Sequence, residues 1–248
     1  MYGRFHWDKP HVFPGSPRRR WHSCRFTSNA MGVDSRLLTH GAATGELKRG
    51  ALEFGIQLSA EQLSTFDTYI DTLLFWAKRL SLTGAGTAAE LVNMHLLDSL
   101  AVARFVQAGW QVADVGSGAG FPGIPLAIVH PGAALVLIES RRKRANFLRE
   151  TARRCNLANV DVLEERADSV ARRRPESFDL VVSRALWSVA ELLRVCRLLV
   201  RRAGLAIAMK GPKAATEIVR DAAFSDPELI AYRLLGGANH VLVVYRRR

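Results

Sequence analysis

The run Val112-Ala113-Asp114-Val115-Gly116-Ser117-Gly118-Ala119-Gly120-Phe121-Pro122-Gly123 constrains this chain more than any other stretch. It reads as a short apolar strand carrying a carboxylate near its end, followed at once by a glycine-dense turn. Glycines there admit positive φ and let the backbone approach a ligand closely. A helix after the turn offers its N-terminal amides. A turn of this kind serves a nucleotide-like ligand, and the charge on Asp114 bears on which one.

Two cofactors compete for it. Gly118-Ala119-Gly120-Phe121-Pro122-Gly123 satisfies the G-x-G-x-x-G dinucleotide pattern, which taken alone is weakly specific. That fingerprint receives a dianionic pyrophosphate on helix amides. Asp114, two residues before the first glycine, is expected to repel it. S-adenosylmethionine carries a sulfonium and an ammonium and no phosphate, so an acidic strand end suits it. The bland alternative is a solvated Asp in an ordinary strand–helix turn. The pattern favours the methyl donor.

Around this loop the sequence alternates strand and helix. Strands are expected at Val112–Val115, Leu135–Glu139, Val160–Leu163, Phe178–Ser183 and Leu205–Lys210, with helices near 123–129, 141–155, 188–200 and 214–222. Two further apolar runs, Leu229–Leu235 and His240–Tyr245, meet through Gly236-Gly237-Ala238-Asn239 and read as a hairpin. Such alternation predicts an α/β fold with a mainly parallel, doubly wound sheet. Upstream, 46–80 reads as helical, with Ser59-Ala60-Glu61-Gln62 at capping-box spacing, and a second helix runs from Thr87 to about Val106. The expected division is a basic extension at 1–44, a helical cap at 45–108 and a Rossmann-like domain at 109–248. Met31 lies inside the extension as a possible alternative start.

Composition sets outer bounds. The chain is 48% hydrophobic and 23% charged, a globular balance. No apolar run is long enough to span a bilayer. Cys24, Cys155 and Cys196 are widely spaced and odd in number, so neither a disulfide framework nor a zinc cluster is expected, and the setting expected is the reducing cytoplasm. The net charge of +12 is concentrated at the ends, with +5 in residues 1–30 and +3 in Arg246-Arg247-Arg248. In the body, Arg141, Arg142, Lys143, Arg144, Arg149, Arg153 and Arg154 face the single acid Glu150. That cluster reads either as a nucleic-acid face or as a solvated amphipathic helix.

Ligands of a doubly wound sheet sit beyond the carboxyl ends of its strands. The second strand ends at Glu139, roughly where an acid accepts both ribose hydroxyls of an adenosine; the competing role is capping the helix from Arg141. Asp168, after the third strand, can accept an adenine amino group or cap a helix. The fourth strand ends in Ser183-Arg184-Ala185, which lacks the Asn/Asp-Pro-Pro-aromatic turn used for exocyclic amines, and Cys155 and Cys196 fall inside expected helices rather than at strand ends. What remains is an acceptor already bearing a lone pair. Guanine N7 fits, because it attacks a sulfonium methyl without a general base, leaving positioning and electrostatics as the work. Arg184 suits the O6/N7 edge of guanine or a cofactor carboxylate, unless a salt bridge to Asp114 or Asp168 holds it. Lys210 faces a phosphate of the target nucleotide or is merely solvated.

These residues resemble one family, the bacterial RsmG/GidB type of 16S ribosomal RNA 7-methylguanosine methyltransferases, over roughly residues 50–215. The matching pieces are Leu82-Thr83, His95-Leu96-Leu97-Asp98-Ser99, Asp114 through Pro125, Glu139-Ser140 with Lys143-Arg144, Ser183-Arg184-Ala185 and Met209-Lys210-Gly211. His-x-x-Asp-Ser is the most specific of them; without it His95 would read as a helix-face histidine. The chain departs from the family at Ala77 and Ser81, where Asn is usual. The resemblance implies a seven-stranded class I S-adenosylmethionine-dependent methyltransferase sheet with an N-terminal helical cap. It implies cofactor contacts at Gly116, Phe121, Glu139, Ser140, Ala167, Asp168 and Arg184, to which the reading of the turn itself adds Asp114, Gly118 and Gly120. On the substrate side it implies His95, Asp98, Ser99, Lys143, Arg144, Ser183 and Lys210. The partner it implies is 16S ribosomal RNA or the small ribosomal subunit, met by a monomer with no membrane involved. A dinucleotide-dependent oxidoreductase, a non-catalytic RNA-binding factor and a small-molecule methyltransferase are the competing readings.

Overall fold

A computed structural model describes residues 40–184, 187–235, 237 and 239–248. Residues 1–39 of the expected extension, Ala185 of the Ser-Arg-Ala strand end, and Gly236 and Ala238 of the hairpin turn lie outside the described residues. Seven strands form one sheet in the order β3-β2-β1-β4-β5-β7-β6. These are β1 (Gln111–Val115), β2 (Ala134–Ile138), β3 (Val160–Leu163), β4 (Phe178–Arg184), β5 (Val200–Lys210), β6 (Glu228–Arg233) and β7 (Asn239–Arg246). The first five run parallel, and β7 inserts antiparallel between β5 and β6. The central strands are near-continuous apolar runs, as strands covered on both faces must be.

Helices α5 (Gly123–Val129), α6 (Arg142–Arg154), α7 (Ala167–Arg173) and α8 (Val189–Leu199) cross between the parallel strands. The sequence offers Asp168 as a helix cap but no range for α7; in the structure Arg166 is the N-cap and Asp168 lies in the first turn. Ser188 and Glu191 form a capping box that starts α8. The expected helix at 214–222 is corrected to a 3-10 turn, Pro212–Thr216. Thr216, Ile218 and Val219 are β-branched and disfavour helix. Tyr245 also claims the backbone of Val219, its hydroxyl donating to the carbonyl at 2.9 Å.

The cap consists of α1 (His40–Glu53), α2 (Ala60–Leu80) and a broken helix made of α3 (Ala88–Leu91), a π-helical turn (Val92–Leu96) and α4 (Leu97–Leu100). Helix α1 therefore begins inside the stretch read as extension, and a turn at 54–59 divides the segment read as one helix. The capping box at Ser59 is present in both directions, with the Gln62 side chain accepting from Ser59 N–H and Ser59 Oγ accepting from Gln62 N–H.

The cap does not have a core of its own. Leu47, Phe66, Ile70 and Leu73 of the cap share one buried cluster with Ile124 and Ile128 of α5 and Phe147 and Leu148 of α6. Gln62 Nε2 donates to the carbonyl of Ile128 at 3.1 Å, and Tyr69 Oη donates to the carbonyl of Ala119 at 2.7 Å. The cap thus packs on the glycine turn itself. Phe66→Ala is expected to cost about 3–5 kcal/mol, and because the core is shared, calorimetry should record one thermal transition at a lower Tm. A separate low-temperature transition of the cap would contradict the shared core.

Candidate functional site

The glycine turn is built from beneath. Gly116, Gly118 and Gly120 have φ of 74°, 55° and 97°, which only glycine adopts at little cost. The amides of Gly116 and Ser117 donate to the carbonyl of Ile138, fastening the turn to β2. Asp114 is fully buried below it, with Oδ2 accepting from the Gly123 N–H at 2.9 Å. A Cβ on Gly123 would stand 2.2 Å from Leu137 and 2.7 Å from Asp114 Oδ2, so the helix start sits directly on the carboxyl. Asp114 therefore caps α5 from inside the fold and does not reach the open face of the turn. The expected contact with a cofactor cation is corrected accordingly. Its objection to a pyrophosphate survives in another form: the Gly123 amide, which a phosphate would need, is already taken.

Burial pushes the Asp114 carboxyl up to about 7, against the pull of the Gly123 amide, Ser117 and Arg184. Its Oδ1 has no partner among the described residues. The neutral form is thus favoured by folding. That contribution is complete below the ordinary carboxylate value and is lost as pH rises through about 7.

Glu139 is buried beside the turn, its two oxygens accepting from Gly118 N–H at 3.1 Å and Arg141 N–H at 2.8 Å. It holds the N–H of Arg141, the residue before α6, and also touches the turn; lone pairs remain on both oxygens for a ligand. Ser140 is exposed beside it. Ala167 is buried and Asp168 half-exposed in the first turn of α7, with Arg166 Nη2 at 3.8 Å from the Asp168 carboxylate.

A pocket of about 300 Å³ opens over the turn. Its floor is Gly116–Ala119 and Phe121, and its walls are Leu82–Gly84 and His95 from the cap, Arg144 from α6 and Arg184 from β4. Gly120 is buried outside this lining; a Cβ there would meet Ile124 at 2.7 Å and the Tyr69 hydroxyl at 2.9 Å. Two guanidiniums make the walls positive, which suits an anionic group of a ligand.

Arg184 is held on several sides. Its Nη1 donates to Asp98 Oδ2 at 3.1 Å and to His95 Nδ1 at 3.2 Å, and its guanidinium lies 4.8 Å from the Phe121 ring centroid. Asp98, not Asp114 or Asp168, is its salt-bridge partner. Asp98 is buried and also accepts from Tyr232 Oη at 2.5 Å and His240 Nδ1 at 3.0 Å. Burial pushes this carboxyl up, but the His240 hydrogen bond, the Arg184 charge and the Tyr232 hydroxyl outweigh it and leave the pKa below the ordinary value. His95 moves the other way. Burial and the Arg184 charge lower it to about 4, so it is neutral at neutral pH.

The remaining substrate-side expectations divide. Ser99 is fully buried, its hydroxyl donating to the His95 carbonyl, and Ser183 is buried with its hydroxyl donating to the Val115 carbonyl. Both brace backbone and neither lines the pocket. Lys210 is tied to the Trp187 carbonyl and to Glu217 at 2.8 Å, so it does not extend toward a phosphate in this arrangement. Lys143 is exposed on α6. On that helix Arg149 pairs with Glu164, and Arg153 and Arg154 pair with Glu150, while Arg141, Arg142 and Lys143 have no ion-pair partner among the described residues. Thr83, Tyr232 and His240 complete the site and were not singled out as site residues. Tyr232 and His240 read only as hairpin residues, since nothing local in the sequence signals their meeting with Asp98. The described residues hold no cluster of potential metal ligands, and none of their helices is long and apolar enough to cross a membrane.

The family model for rRNA small subunit methyltransferase G matches residues 62–228. Ribosomal RNA small subunit methyltransferase G of Carboxydothermus hydrogenoformans is 36% identical over 212 residues, covering 82% of this chain and 90% of that protein. The enzyme of the same name from Pseudomonas paraeruginosa is 37% identical over 205 residues, covering 81% and 94%. Among solved structures, a cofactor-bound protein from MTB aligns with a TM-score of 0.54 at 20% identity, covering 73% of this chain and 89% of that one. A SAM-dependent O-methyltransferase from Thermotoga maritima aligns at 0.50 with 14% identity, covering 64% and 70%. These two likenesses concern the fold.

Two outcomes follow from the buried carboxyls. Asp114→Asn keeps an acceptor for the Gly123 amide and removes the ionisation, so the Tm of the variant relative to the parent should climb as pH is raised from 4 to 8; a constant difference would contradict the raised pKa. Asp98→Ala strips a buried carboxylate from three donors and is expected to cost about 3–5 kcal/mol in chemical denaturation.

Proposed function

We propose a function on one premise: the chain belongs to the rRNA small subunit methyltransferase G family. It transfers a methyl group from S-adenosylmethionine to N7 of a guanine in 16S ribosomal RNA, acting as a monomer on the small subunit or its RNA in the cytoplasm. The observation that carries this reading is the pocket over Gly116–Ala119, walled by Arg184 and Arg144 and closed by the cap residues Thr83 and His95.

The residues present fit the cofactor. Glu139 has lone pairs to spare for a ribose diol beside Gly118, and the positive walls suit the carboxylate of the cofactor's amino-acid tail. The bound cofactor supplies an electrophilic methyl on a sulfonium. N7 would take that methyl through a lone pair it already carries, with the S–C electron pair returning to the departing sulfur. No proton moves, so the chain needs no general base. Its task is to orient and to exclude water.

That chemistry restricts Arg184. A guanidinium only donates, and a donor on N7 would occupy the lone pair that must attack. Arg184 therefore serves the cofactor carboxylate or the guanine O6, and not N7. The unpaired Arg141, Arg142 and Lys143 on α6 suit the RNA backbone, where each phosphate contact adds salt-dependent affinity.

Incubation with radiolabelled S-adenosylmethionine and small subunits from a strain lacking the modification should place label in 7-methylguanine of 16S RNA. Label on another base, or none, would overturn the reading. Calorimetric titration should show S-adenosylhomocysteine binding and NADH not binding; the reverse would favour the dinucleotide alternative.

A further inference from the structure

Thr83 sits in the short connection between α2 and α3 and lines the pocket, joined to Arg184 through His95. Its hydroxyl oxygen has two close neighbours. His95 Nε2 lies 2.6 Å away, and the Ala85 N–H donates to it at 3.1 Å.

The protons of this cluster can be assigned one by one. Arg184 Nη1 can only donate, so His95 Nδ1, 3.2 Å from it, accepts. His95 is neutral at neutral pH, burial and the Arg184 charge outweighing a backbone hydrogen bond at Met94, and the contact with Arg184 at Nδ1 assigns its single ring proton to Nε2. Nε2–H therefore donates to Thr83 Oγ1. With Ala85 donating as well, both lone pairs of the hydroxyl are filled. The hydroxyl hydrogen is all that remains, and no acceptor takes it among the described residues. Asp98, Tyr232 and His240 stand behind Arg184 and fix the direction of the whole relay.

We propose that Thr83 is a specificity residue whose hydroxyl donates to O6 of the guanine being methylated. The inference rests on the guanine-N7 reading above and deepens it. O6 is the neighbour of N7 on the same edge of the base. A donor at O6 holds that edge in the pocket while N7 keeps its lone pair. Adenine presents an amino group at the same place, so two donors would face each other and adenine is rejected. The histidine acts through Thr83: by filling an acceptor site it leaves the hydroxyl a donor, which a free Thr hydroxyl is not obliged to be.

The test uses the full chain and reconstituted small subunits carrying either guanine or 2-aminopurine at the methylated position. The analogue retains N7 and has hydrogen in place of O6. For the parent, kcat/KM on 2-aminopurine should fall about 10-fold or more, the cost of leaving a buried donor unmet. Thr83→Val should lose a similar factor on guanine and little further on 2-aminopurine, so that the preference collapses toward unity, while Thr83→Ser keeps it. A Thr83→Val enzyme that retains the parent's preference would overturn the proposal. So would a parent enzyme that methylates both substrates equally, a result that needs no variant to fold. If the parent forms no 7-methylpurine on either substrate, the guanine-N7 reading itself fails and takes this one with it.

Discussion

The carboxylate of Asp98 is where the separate parts of the molecule are forced into register. It lies buried on α4 and is met by Arg184 from the end of β4, Tyr232 from β6 and His240 from β7. A buried charge without partners is costly, and each partner comes from a different element. The ion pair need not add net stability, since desolvation offsets much of the attraction. Its value lies in selection: only the arrangement that brings all three donors to one carboxylate is tolerated. Arg184, thus fixed, fixes His95, and the pocket wall inherits the geometry.

Most of the fold was legible because its signals are local. The central parallel strands are dense apolar runs, the glycine turn has its own spacing, and the capping boxes at Ser59 and Ser188 are four-residue patterns. The helix expected at 214–222 gives way to a 3-10 turn because its β-branched residues disfavour helix and Tyr245, far along the chain, tethers the Val219 carbonyl. The site was legible in the same measure. Gly116, Phe121, Glu139 and Arg184 sit at strand ends and could be found by topology alone. Tyr232 and His240 could not, because their role exists only once β7 has been inserted beside β5.

Asp114 is conspicuous in the sequence for a reason that the structure replaces. Its place before the turn marks it in the sequence, and a charge facing the ligand is the simplest explanation. The structure instead buries it under the helix start, bonded to Gly123 and crowded by Leu137. With the Gly123 amide held by Asp114, the start of α5 has one amide fewer to offer an anion. Similarly, the absence of a general base is a property of the acceptor atom and leaves no mark on the chain. Such chemistry is read from what the pocket leaves unblocked.

The insertion of β7 between β5 and β6 has a temporal side. A chain emerging from its N-terminus makes the cap, the glycine turn and β4 long before β6 and β7 exist. Without β6 and β7 the Asp98–Arg184 pair lacks both Tyr232 and His240, and the sheet ends at β5. The pocket wall is therefore completed by β7 rather than by the loop that defines it. Assembly and competence coincide, and a chain arrested before that strand has the cofactor turn without the braced arginine that faces it.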